Sequence, residues 1–223
     1  VAALAERVLE LRRAFGRPPS ASPSDSDLRD GDLYLVAVHA AFEYFFEEVG
    51  RYAAHAGLAA FAATGHVSQP LGSLIECHHW QTFKNGGGEK PSQAGPVSPD
   101  TVAKAVRWYV SQIDANNGIK RSNLFSLFLP LGFVEGDFDP VWLSEMDSLG
   151  SDRGDIAHGR PATSHPRRAV VLSQSAQPTV TIWTPRALHR SQRETPWGVE
   201  TKLARVWGEL VRWDRKVLER TLT

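Results

Sequence analysis

Between Leu33 and about Phe61, the apolar residues Leu35, Val38, Phe42, Phe45, Phe46 and Val49 recur at three- and four-residue steps. That period places them on one face of an α-helix, and a stripe this rich in aromatic rings has to be covered by other helices rather than by water. The longest helical stretch of the chain therefore demands a set of further amphipathic helices around it. His39, Glu43 and Glu47 follow one another at four-residue steps on the same helix. Such a polar line could border a cleft, but a solvent-exposed face is the favoured reading.

The remaining segments supply those partners. Residues Ala2 to Leu11 read as a short helix, and the Pro-, Ser- and Asp-rich stretch from Gly16, continuing to about residue 31, reads as a linker. A second helix is expected over Leu71–Phe83, ending at Asn85-Gly86-Gly87-Gly88. These glycines open a loop through Pro91, Gly95 and Pro96 and match no phosphate-cradling pattern. Ser98-Pro99-Asp100 is a helix start, with Ser98 as N-cap and Pro99 in the first turn, and this helix should run to about Asp114. Asn116-Asn117-Gly118 then breaks the chain, and Leu124, Leu127, Phe128 and Leu131 mark a short buried helix. Asp139-Pro140 caps the next, which carries Val141, Trp142 and Met146 inward. Thr195-Pro196-Trp197 starts a last helix with Leu203, Val206, Trp207, Leu210, Trp213 and Val217 on one face. Only Ala169–Leu172 and Thr179–Trp183 are β-branched runs, which suggests a small hairpin. The expected fold is all-α: one domain over 1–223, a helical bundle with a β-hairpin-like insertion at 161–194.

Composition narrows the function classes. Lys+Arg and Asp+Glu are 25 each, so the formal net charge is +0, and any nucleic acid would have to be held by a local basic patch. The densest basic run lies between Arg160 and Arg193, where Arg167, Arg168, Arg186 and Arg190 could neutralise an RNA backbone. A solvated insertion with ordinary surface arginines is the other reading. The single Cys77 excludes an intramolecular disulfide and suits a reducing compartment. No apolar run is long enough to span a membrane and no signal-peptide pattern follows Val1, so a cytoplasmic location is expected. His78 and His79 diverge by about 100° on a helix and have no partner pair at ligand spacing, so no metal is expected there.

Chemistry concentrates in Arg153-Gly154-Asp155-Ile156-Ala157-His158, followed by Gly159-Arg160-Pro161. Gly159 and Pro161 are helix-stop residues, which puts His158 on the last turn, where the negative end of the helix dipole favours an imidazolium. Residues five apart lie about 140° apart around a helix, so Arg153 and His158 do not naturally form one compact site within a chain. A two-fold dimer packing this helix against its mate could bring the Arg of one protomer to the His of the other. By spacing alone, a solvated Arg153 and a helix-capping His158 remain the ordinary reading.

The surrounding residues add to that spacing. The segment Asn123–Gly132, with Trp142-Leu143, Asp147-Ser148-Leu149 and Arg153 to Gly159, resembles the HEPN superfamily of helical domains, closest to branches found in prokaryotic conflict systems, RiboL-PSP among them. The resemblance is sharp over about 120–160. It implies a metal- and cofactor-independent endoribonuclease acting as a homodimer on RNA, with Arg153 and His158 as the catalytic pair and Asp155 and Arg160 as supporting groups. It further implies a toxin-like or antiviral role, restrained by an antitoxin or other regulatory partner. The residue after the Arg is often Asn, Asp or His in the superfamily and is Gly154 here. The alternative is a HEPN-like domain that has lost catalysis and serves as a dimerisation or nucleotide- or RNA-binding module.

Overall fold

The computed structural model describes residues 1–15, 24–86, 97–158 and 196–222, the side chains of 25, 157, 158, 197 and 222 excepted. Among the described residues there are seven α-helices and no strand: α1 Ala2–Phe15, α2 Asp25–Thr64, α3 Gln69–Lys84, α4 Pro99–Asp114, α5 Arg121–Phe128, α6 Pro140–His158 and α7 Pro196–Leu222. Two 3₁₀ turns, Leu129–Leu131 and Glu135–Asp137, link α5 to α6. The expected all-α class is what the described residues form. The expected hairpin at 161–194 and the glycine-rich loop from Gly87 onward lie outside them.

α2 is the axis of the bundle. Its 40 residues span about 60 Å, and it touches all six other helices. Leu35, Val38, Phe42 and Phe46 are fully buried, with Phe45 and Val49 packed against the same core. The helix starts at Asp25, so residues 25–31, which read from the sequence as the tail of a linker, are helical. The cause is local. Ser24 accepts a hydrogen bond from the Asp27 amide while the Asp27 carboxylate takes the Ser24 amide, a reciprocal cap, and Leu28 is buried one turn later. Ser and Asp are linker residues and capping residues alike, and burial of Leu28 decides between the two.

The short segments close around α2 as their caps direct. Ser98 accepts from the Thr101 amide at 3.2 Å and starts α4, and the Asp139 carboxylate accepts from the Trp142 amide at 2.8 Å and starts α6. Trp142 and Met146 point inward as expected, but Val141 is 70% exposed, because the residue next to Trp142 is turned about 100° away from the core. Phe46, Phe128, Phe133, Phe138, Trp142 and Trp213 form one connected aromatic cluster at the centre, drawn from α2, α5, the turns that follow it, α6 and α7. Arg220 of α7 pins the turn region from outside. Its guanidinium donates to the Asp137 carboxylate at 2.8 Å and to the Gly132 carbonyl at 3.1 Å, and lies over the Phe133 ring.

Two glycines mark opposite situations. A Cβ on Gly50 would stand 2.6 Å from the Tyr109 hydroxyl, which donates to the Leu127 carbonyl at 2.6 Å; the glycine lets α4 cross α2 at close range. Gly208 is exposed in the middle of α7, and a Cβ there would meet nothing among the described residues. Gly208→Ala is therefore expected to raise stability by about 0.5–1 kcal/mol through the lower backbone entropy of the unfolded chain, read as a higher urea midpoint at unchanged slope.

Candidate functional site

The polar line of α2 is not an exposed face. His39 is 2% exposed and lies where α2 meets α6 and the connection from α4 to α5. Its Nδ1 is 3.7 Å from the Glu43 carboxylate, one turn along. Glu47, a further turn on, accepts a hydrogen bond from the Asn116 amide group at 3.0 Å and sits 3.8 Å from Arg51. Asn116 also donates to the Gly118 carbonyl, and Asn123 donates to Asn116. The Asn116-Asn117-Gly118 break is thus a chain crossing fastened to α2 by side-chain amides.

Arg153 enters this seam from α6. It is half-buried, and its charge acts on both His39 and Glu43. Among the described residues its guanidinium has no hydrogen bond and no carboxylate within ion-pair distance. That distinguishes it from Asp152 beside it, which pairs with Lys202 of α7, and from Glu145, which pairs with Arg205. Lys120, the residue before α5, brings a second positive charge to His39. Burial first, and then the charges of Arg153 and Lys120, push His39 down to about 4, so the ring is neutral at physiological pH. Glu43 is raised above the usual carboxylate range by burial and by Glu47, with Arg153 pulling the other way.

The expected catalytic residues divide as follows. Arg153 is in the seam. His158 is on α6, but its side chain lies outside the described residues, and so do the helix-stop residues Gly159 and Pro161. Asp155 is half-buried on α6 and is not among the charges acting on His39 or Glu43. Arg160, Arg167, Arg168, Arg186 and Arg190 lie outside the described residues. A Cβ on Gly154 would meet nothing among the described residues, so no close contact requires glycine there. His39 and Lys120 are site residues that the sequence does not assign; the His39-Glu43-Glu47 spacing is the one signal of the first, and nothing local marks Lys120.

Elsewhere, the His78 ring packs 5.8 Å from Trp108 across the α3–α4 contact, and no group of His, Cys, Asp and Glu among the described residues is disposed to hold a metal ion. No helix among the described residues is long and apolar enough to cross a membrane. No protein-family model, curated protein or solved structure matches the chain.

The depressed His39 titration has a consequence for stability. Its folded value, about 4, lies below the unfolded value of about 6.5, so between them the unfolded chain binds more protons and stability rises with pH. The contribution, on the order of 3 kcal/mol, is present above about pH 6.5 and is lost as pH falls toward 4. Glu43, shifted upward, works in the opposite direction. His39→Gln should remove the His39 part: urea unfolding at pH 7 and pH 5 should show a smaller loss on acidification in the variant than in the wild type.

Proposed function

We propose that the protein is a metal-independent endoribonuclease of HEPN type, working as a homodimer in a toxin-like or antiviral role under the control of a regulatory partner. The observation that carries this reading is the half-buried guanidinium of Arg153, unpaired among the described residues, beside a buried neutral imidazole. A purely structural arginine at such a place is normally matched by a carboxylate. An arginine awaiting a phosphate is not.

The reaction needs no external nucleophile. The ribose 2′-oxygen attacks the adjacent phosphorus as the bond to the 5′-oxygen breaks. His158 takes the 2′ proton or supplies one to the leaving oxygen, and Arg153 holds the non-bridging oxygens as charge builds on them. The products carry a 2′,3′-cyclic phosphate and a 5′-hydroxyl. His158 would meet the motif arginine across a two-fold axis, which the wide angular separation of the two positions on α6 favours.

The test is cleavage of a single-stranded RNA by purified protein in excess chelator, with analysis of product ends and of mass in solution. Unimpaired cleavage to cyclic-phosphate ends by a dimer is expected. Activity lost in chelator and restored by a divalent ion would overturn the mechanism. A dimer that binds RNA or nucleotide without cutting would favour the non-catalytic module, the reading toward which Gly154 and the zero net charge lean.

A further inference from the structure

Gly150 supplies an observation independent of titration. A Cβ there would lie 2.7 Å from Lys120 Cγ and 3.3 Å from its Cε, so the stem of Lys120 lies flat on α6 at this position. Arg153 is three residues further along α6, the next residue on that face. Both charges act on the buried His39 ring, Arg153 from α6 and Lys120 from the connection that precedes α5. Of the carboxylates around them, Glu43 feels the Arg153 charge without standing at ion-pair distance from it. Glu43 faces His39, Glu47 is held by Asn116 and Arg51, and Asp147 accepts from the Arg121 amide at 2.7 Å. Neither the guanidinium nor the Lys120 ammonium has an ion-pair partner among the described residues.

We propose that Arg153 and Lys120 form a two-cation subsite for a phosphate group, with Lys120 as the second cation, beside the buried His39 side chain. The guanidinium fork matches two phosphate oxygens, and the ammonium neutralises a third. The neutral His39 ring adds no third positive charge to the pair. Gly150 serves the subsite by admitting the lysine stem. The assignment of the phosphate to an RNA phosphodiester rests on the ribonuclease reading; the subsite itself does not.

The probe is inorganic phosphate, titrated at pH 6.5 and followed through the His39 ring signals in the nuclear magnetic resonance spectrum. The wild type should show a saturable shift of those signals. Lys120→Met, which changes an exposed side chain, should weaken that binding at least about tenfold, and Gly150→Ala, which displaces the stem, should weaken it in the same direction. A control change at the exposed Arg107 should leave it unaltered. Competition then names the source. A short single-stranded RNA that displaces phosphate at lower concentration than a mononucleotide does assigns the site to nucleic acid, and the reverse order assigns it to a free nucleotide. If phosphate leaves the His39 signals unmoved, or Lys120→Met binds as tightly as wild type, the subsite is overturned even where RNA is still cleaved. If phosphate binds as described and no RNA is cleaved, the ribonuclease reading falls and the subsite stands.

Discussion

His158→Ala is expected to slow RNA cleavage by a factor of about 10²–10⁴, the usual worth of a positioned proton-transfer group, and Arg153→Ala by a comparable factor through lost charge stabilisation. Both residues act on one transition state, so the double variant should be little worse than either single one. Folding should survive. Arg153 is half-buried without an ion pair among the described residues, so its removal breaks no ion pair there. The comparison is made by single-turnover cleavage with helicity checked by circular dichroism. A His158→Ala protein that cuts at the wild-type rate and still leaves cyclic-phosphate ends would remove His158 from the mechanism.

Trp213→Ala should cost about 3–5 kcal/mol, a large share of the stability of a single domain. Trp213 is 2% exposed and its ring meets those of Phe128 at 4.5 Å, Phe46 at 5.5 Å, and Trp142 and Phe133 at 6.3 Å. Alanine would leave a cavity walled by rigid rings that cannot collapse into it. Trp213→Phe should behave differently. The indole Nε1 of Trp213 is buried without a hydrogen-bond partner among the described residues, and phenylalanine removes that unsatisfied donor while keeping most of the ring volume. Its loss should stay within about 1.5 kcal/mol. Urea denaturation of the two variants distinguishes them, and equal losses would mean that the ring contacts are not what holds the centre together.

Much of the helical framework is legible in the order of residues, because its signals are local. Ser98-Pro99 and Asp139-Pro140 start α4 and α6 where their side chains reach the first free amides of the helix, an interaction completed within a single turn. The same local chemistry is ambiguous at residues 25–31, since Ser24 and Asp27 suit a linker and a cap equally well. The periodicity of α2 and α7 tells which face is buried, and Leu35, Phe42, Leu210 and Trp213 are buried as that periodicity requires. Val141 shows the limit of reasoning from neighbourhood alone, for it follows the cap of α6 and precedes a core tryptophan, yet faces outward.

The site divides along the same line. Residue chemistry alone places Arg153 and His158 on one helix, as α6 has them. Three other relations arise only when the helices assemble: the His39-Glu43-Glu47 line is covered rather than solvated, Asn116 fastens a chain crossing to Glu47, and Lys120 lies across Gly150 of α6. Each joins segments far apart in the chain. Whether a histidine is charged or neutral there depends on which helices desolvate it and which cations they bring, and that is a matter of packing, not of helical period.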